Sequence, residues 1–171
     1  PLLMLLEGGG HRIQDGMNAA HFAAASPVFN NLARTSGWVP NVVAIMGQGF
    51  AGPTAYAALA DFVVMIRDRS TMGMAGPALV KAGTGEDIDA QSLGGSPRQA
   101  DENGLADLAV EDESACFVAI RRFLSYLPEH AGGPLPVHTC TDPVDRSGDE
   151  LLDLVSASSR RVYDMRKVID V

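Results

Sequence analysis

The chain has 171 residues, 46% of them apolar and 20% charged, with 13 Lys and Arg against 21 Asp and Glu for a formal net charge of −8. That length suits one domain with a real core. The acidic balance excludes a general nucleic-acid role, which needs clustered cations, and no apolar run approaches the ~20 residues of a membrane helix.

The chain opens at Pro1 on an apolar strand with no initiating Met and closes at Val171 inside a helical pattern, which reads as a piece of something longer. No basic region precedes a short apolar stretch, so no signal peptide is read at this end. Leu2 to Leu6 is a fully apolar run and predicts a buried strand. It enters Gly8-Gly9-Gly10, where the backbone can take unusual conformations. A helical stretch after Gly16 is interrupted at Ser26-Pro27, which predicts a new helix with Ser26 as N-cap. Val28, Phe29, Leu32 and Ala33 share its apolar face, and Gly37 is its stop.

Asn41 to Met46 predicts a second buried strand, followed by a second Gly-rich loop from Gly47 to Gly52. Pro53 opens a short Ala-rich helix to Ala60. Asp61 to Ile66 is a third strand and Thr71 to Met74 a fourth. A Gly76-Pro77 turn leads into Ala78 to Ala82, and residues 83–106 read as loop with short helical pieces. Leu108 to Val110 is a brief strand.

Asp112 caps the clearest helix, whose stripe carries Ala115, Cys116, Ala119, Ile120, Phe123, Leu124 and Leu127 until Pro128 ends it. Residues 131–149 look extended, and a last amphipathic segment carries Val162, Met165 and Ile169. The alternation of strands and helices indicates an α/β fold with largely buried strands.

The two cysteines, Cys116 and Cys140, fit no CxxC or Cys/His metal pattern, so no metal is expected and a reducing, cytoplasmic setting fits. Cys116 lies on the apolar helix stripe and reads as core.

Both glycine loops follow a buried strand and precede a helix, where free backbone N–H groups aim above the sheet edge. Two readings compete for them. Gly47-Gln48-Gly49-Phe50-Ala51-Gly52 matches G-x-G-x-x-G, with Asp68 near the spacing of a ribose-binding acid. Against a dinucleotide site stand the short helix from Pro53 and the missing turn before Asp61. The other reading is an oxyanion hole, in which backbone N–H groups stabilise an enolate formed from an acyl thioester. Plain tight turns are the bland alternative, weakened by two such loops in tandem.

The segment Glu7-Gly8-Gly9-Gly10-His11-Arg12-Ile13-Gln14-Asp15-Gly16 resembles the SGGARIQEG stretch of propionyl-CoA carboxylase beta subunits. Ile45 through Asp61 resembles their IMGPCAGGAxYxPALxD stretch. Gly76-Pro77-Ala78-Leu79-Val80-Lys81-Ala82 with Thr84-Gly85-Glu86 is similar to the GPPLVKAATGE of methylcrotonyl-CoA carboxylase beta subunits. Leu93-Gly94-Gly95, Asn103-Gly104-Leu105-Ala106, Phe123 to Pro128 and Asp142-Pro143-Val144-Asp145-Arg146 follow in the family's order.

The resemblance implies a crotonase-like superhelix of ββα units, here part of an N-terminal carboxyltransferase domain. Residues 1–130 would form the acyl-CoA-binding domain without its opening part, and 131–171 would lead toward a second carboxyltransferase domain. It implies an enzyme, the carboxyltransferase subunit of an acyl-CoA carboxylase, moving a carboxyl group from carboxybiotin to a propionyl-CoA or acetyl-CoA type substrate. Alternatives are a biotin-dependent acyl-CoA decarboxylase and a non-catalytic paralogue.

By motif matching, the amides of Gly9 and Gly10 would hold the enolate oxygen. Gly47, Gly49 and Gly52 would contribute to the CoA and acyl pocket, Gly76 and Pro77 would line its wall, and Arg12 and Lys81 would meet CoA phosphates or serve as ordinary surface cations. Biotin would arrive on a biotin carboxylase or carrier subunit, since no Met-Lys-Met acceptor occurs. The full-length protein would be a homo-oligomer of hexameric type, with no nucleic-acid or membrane partner. No triad stands out. His11 reads as an orienting or exposed residue, and His21, His130 and His138 as surface groups. Departures from the family are His11 for Ala, Gln48-Gly49 for Pro-Cys, Ala51-Gly52-Pro53 for Gly-Gly-Ala, and Gln99 and Asp107 where histidines are usual.

Overall fold

A computed structural model describes residues 1–9 and 27–171. Four short apolar segments associate as a parallel sheet in the order β1 (Leu2–Leu6), β2 (Asn41–Ile45), β4 (Phe62–Ile66), β6 (Leu108–Val110). Strand β2 lies inside this sheet and every one of its residues is buried, as an unbroken apolar run requires when both faces are covered.

The edge strand β1 departs from the expectation of full burial. Leu3 and Leu5 are 42% and 50% exposed, while Leu2, Met4 and Leu6 on the other face are half-buried. Composition cannot separate an edge strand from a central one when both of its faces are apolar.

A second, two-stranded parallel sheet joins β3 (Gln48–Phe50) to β5 (Thr71–Gly73), pairing Gln48 with Thr71, Gly49 with Met72 and Phe50 with Gly73. Here the structure adds a strand inside the stretch read as a loop. It also removes the dinucleotide reading. Gln48 to Phe50 form a strand instead of a phosphate-cradling turn, the helix that follows has only six residues, and Asp68 sits at φ +56.

Helix α1 (Val28–Thr35) carries Pro27, not Ser26, at its N-cap position, with no side-chain cap, and Gly37 follows it at φ +74. Helices α2 (Gly52–Ala57), α3 (Pro77–Thr84) and α4 (Ala90–Gly94) follow, then a π-helical turn (Pro97–Glu102). In α5 (Glu113–Ser125), Asp112 caps as predicted, its Oδ1 accepting the Ala115 N–H at 2.8 Å. The described core has two layers. Val43, Ile45, Val63, Met65 and Met72 pack on one side of the sheet. Val42, Ala44 and Val64 pack with Cys116 and Ile120 of α5 on the other. Each of the Val, Ile and Met side chains contributes roughly 1.5–3 kcal/mol on full burial.

Two compact units result, Pro1–Pro136 and Val137–Val171. The second holds α6 (Leu151–Leu154) and α7 (Met165–Ile169), neither with a buried residue; Val162, Met165 and Ile169 are all exposed. Among the described residues no helix is long and apolar enough to cross a membrane.

Candidate functional site

The sheet ends bring three distant segments together. Beyond β1, the Met46 N–H donates to Leu6 O at 2.8 Å and the Gly8 N–H to Gln48 O at 2.6 Å, which fastens the first glycine segment along β3. Gly9 comes next. A Cβ added there would meet nothing within 4 Å, and its N–H has no hydrogen-bond partner among the described residues.

Beyond β3, Ala51 occupies φ +66, ψ −108, a region that favours glycine, and its N–H donates to Gly73 O at 2.8 Å. Thr54 ties the same turn to β5: its hydroxyl donates to Gly49 O and accepts from the Gly73 N–H, both at 2.7 Å. Beyond β5, Gly76 sits extended at the N-cap of α3, with Pro77 in the first turn, where its missing N–H costs nothing.

Between these segments opens a cleft of about 540 Å³, lined by Gly9, Gln48, Phe50, Ala51, Gly76 and Pro77 among others. Its described wall carries no titratable side chain, and Met74 and Leu79 on the rim are 68% and 65% exposed. Ala90, also on the wall, opens α4, whose N-cap Asp89 accepts the Gln91 and Ser92 N–H groups at 2.9 Å. The Ser92 hydroxyl and these amides hold the Asp89 carboxyl below its ordinary range. Among the described residues no group of three His, Cys, Asp or Glu is placed to hold a metal ion.

The cleft therefore unites Gly9, Gly76 and Pro77 of the sequence-derived set. The other described members, Gly47, Gly49, Gly52 and Lys81, are not among its lining residues. A Cβ on Gly47 would come within 2.5 Å of Glu7 Oε1, and one on Gly49 within 2.8 Å of both Ile45 Cγ2 and Thr71 O, so these two glycines permit close packing. Gly52 faces open space at the start of α2. Lys81 pairs with Asp87 at 2.7 Å on the exposed side of α3. Gly10, Arg12, His11 and His21 lie outside the described residues.

Sequence reasoning did not single out Phe50, Thr54, Met74 or Leu79 as site residues, and only Phe50, an apolar residue inside a glycine loop, carried a signal. The two departures from histidine have architectural uses. Gln99 Nε2 donates to Met72 O at 2.9 Å, and Asp107 Oδ2 accepts the Val63 N–H at 2.8 Å. Neither lines the cleft.

A family model described as a carboxyl transferase domain matches residues 1–171. The mitochondrial propionyl-CoA carboxylase beta chain of Sus scrofa is 34% identical over 169 residues, 99% of this chain and 31% of that protein. Methylmalonyl-CoA decarboxylase subunit alpha of Veillonella parvula is 33% identical over 169 residues, 99% of this chain and 33% of its own length. Among solved structures, the hexameric transcarboxylase 12S core with methylmalonyl-coenzyme A and methylmalonic acid bound superposes with a TM-score of 0.77 at 30% identity, covering 98% of this chain and 32% of that one. The chain thus spans about a third of the length of these relatives, and its α/β architecture is the crotonase-like fold they share.

Proposed function

The chain belongs to the carboxyl transferase domain family, and from that premise we propose that it supplies the acyl-CoA-binding part of a biotin-dependent acyl-CoA carboxyltransferase. One observation carries this reading: Gly9, whose N–H has no hydrogen-bond partner among the described residues, lines a cleft whose described wall carries no titratable side chain.

Carboxylation at the α carbon of a thioester places negative charge on the carbonyl oxygen as the enolate forms. A fixed N–H beside that oxygen stabilises it, and such a donor is typically worth ~3 kcal/mol. Gly9 fills this role, with Gly10 as its neighbour by motif. Glycine is apt because the thioester must approach the main chain closely.

The described cleft wall offers no base, which fits a reaction whose proton acceptor comes with the cofactor. When bound, carboxybiotin delivered by a biotin carboxylase or carrier subunit would supply the carboxyl carbon and a nitrogen able to accept the α proton. This chain's own residues do the rest: Gly9 holds the oxygen, while Gly76 and Pro77 wall the acyl group and exclude water. Arg12 and Lys81 stay proposed for the CoA phosphates, Lys81 by exchanging its surface pairing with Asp87. Gly47, Gly49 and Gly52 shape the second loop around the substrate. The assembled protein is proposed to be a homo-oligomer, a reading supported by the hexamer assembly of the transcarboxylase core.

Decarboxylation through the same enolate is the second reading, favoured by the likeness to a methylmalonyl-CoA decarboxylase subunit. Its cognate partner would set the direction.

The test is Gly9→Val in the full chain together with its biotin-carrying partner. Because no described residue lies within 4 Å of the new Cβ, the fold should persist with an unchanged melting temperature. Carboxylation should fall about 10²–10³-fold as the side chain holds the thioester off its donor. Turnover retained in a folded Gly9→Val protein would refute the assignment.

A further inference from the structure

The ring of Phe50 is only 8% exposed, yet it lines the cleft. It is held there by glycines from three different elements. A Cβ on Gly73 of β5 would stand 3.2 and 3.3 Å from ring atoms Cε1 and Cδ1, one on Gly94 of α4 3.2 Å from Cε1, and one on Gly76 at the α3 N-cap 3.6 Å from Cδ2. None of these neighbours has a side chain, so the ring alone fills the space between them. The register pairing Phe50 with Gly73 and the Thr54 hydroxyl across the same turn fix its position. Above the ring the wall is apolar, with Ala51, Pro77 and Leu79 on it.

We propose that Phe50 is the floor of the acyl site and sets the chain length it accepts. Acetyl and propionyl thioesters fit above the ring, and medium-chain thioesters are turned away. This deepens the acyl-CoA reading above and rests on it. The physical reason is that a hydrophobic site discriminates by filled volume, each methylene that lacks room changing affinity by about tenfold or more. Removing the ring would open a slot lined by the backbone of Gly73, Gly76 and Gly94, continuous with the cleft.

The test is calorimetric titration of the full chain with acetyl-, propionyl-, hexanoyl- and octanoyl-CoA, in wild type, Phe50→Ala and Phe50→Leu. Wild-type affinity should fall at least about tenfold between propionyl- and octanoyl-CoA. Phe50→Ala should raise the octanoyl-to-acetyl affinity ratio by about tenfold or more, and Phe50→Leu by an intermediate factor. Phe50→Leu keeps most of the core filled and so reads the effect even where Phe50→Ala unfolds. Wild type binding octanoyl-CoA as well as propionyl-CoA overturns the proposal, as does one chain-length profile shared by wild type and folded variants. In both cases binding of acetyl-CoA leaves the carboxyltransferase reading standing. Folded wild type that binds no acyl-CoA overturns both.

Discussion

Asp107 and Val63 close a two-hydrogen-bond ring: the Val63 N–H donates to Asp107 Oδ2 at 2.8 Å, and the Asp107 N–H returns a bond to Val63 O at 2.9 Å. Asp61 does the same for Asn41, with both bonds at 2.8 Å. Each aspartate stands just before a strand and satisfies a main-chain donor at the start of the neighbouring one, Asn41 of β2 or Val63 of β4. The strands are thereby set in register, and register decides where the glycine loops beyond their far ends meet.

Asp107→Ala removes the acceptor of a buried N–H, since Val63 is 3% exposed. It should lower stability by ~1–3 kcal/mol. Chemical denaturation checks this. A midpoint equal to that of wild type would show that water replaces the carboxylate at no cost.

Gly94→Ala separates the two kinds of glycine in this chain. A Cβ at Gly94 would collide with the carbonyl oxygen of Met72, which is backbone and cannot swing away, and would press on the Phe50 ring. A destabilisation of ~1–3 kcal/mol follows from such overpacking, measured as a drop in melting temperature. Gly9→Ala meets no described residue within 4 Å and should melt with wild type. Equal melting temperatures for all three proteins would remove the distinction between packing and site glycines.

What the sequence disclosed and what it concealed divide along physical lines. The Asp112 cap and the Cys116, Ile120 stripe of α5 were legible because capping and helical periodicity are local. Gly76-Pro77 was legible as a turn leading into Ala78 to Ala82, but not as the start of a helix running from Pro77 to Thr84. Strand β3 was concealed, since three residues, one of them glycine, show no alternation. The exposed face of β1 was concealed because Leu3 and Leu5 look the same at an edge as in a centre. Gly9 and Gly76 share one cleft only through the pairing of β3 with β5, a contact between segments distant in sequence. The motif resemblance named both residues without revealing that geometry.

Trp38 is the chain's single tryptophan, and it stacks on His130 with ring centroids 5.7 Å apart and planes at 23°. His130 Nδ1 accepts the Gly132 N–H at 3.1 Å, so the neutral ring carries its proton on the other nitrogen. His130→Ala removes the ring stacked on the indole and should change the Trp38 emission in intensity or maximum. An emission spectrum identical to that of wild type would show that the stack does not persist in solution.

Cys116 and Cys140 should differ sharply in reactivity. Cys116 is fully buried against Val42, Ala44 and Val64, whereas Cys140 is exposed. Burial, with a smaller contribution from Glu113, pushes the Cys116 thiol above its ordinary pKa and disfavours the nucleophilic thiolate. A thiol reagent should therefore label one cysteine per native chain and both after denaturation. The same shift bears on stability. The folded state holds its proton more tightly than the unfolded one, so this contribution is complete below the ordinary thiol pKa of ~8.5 and is lost as pH rises beyond it. Cys116→Ala should accordingly flatten the decline in melting temperature above that pH, at some cost in packing. Rapid labelling of both thiols in the native chain would mean that α5 opens readily from the sheet.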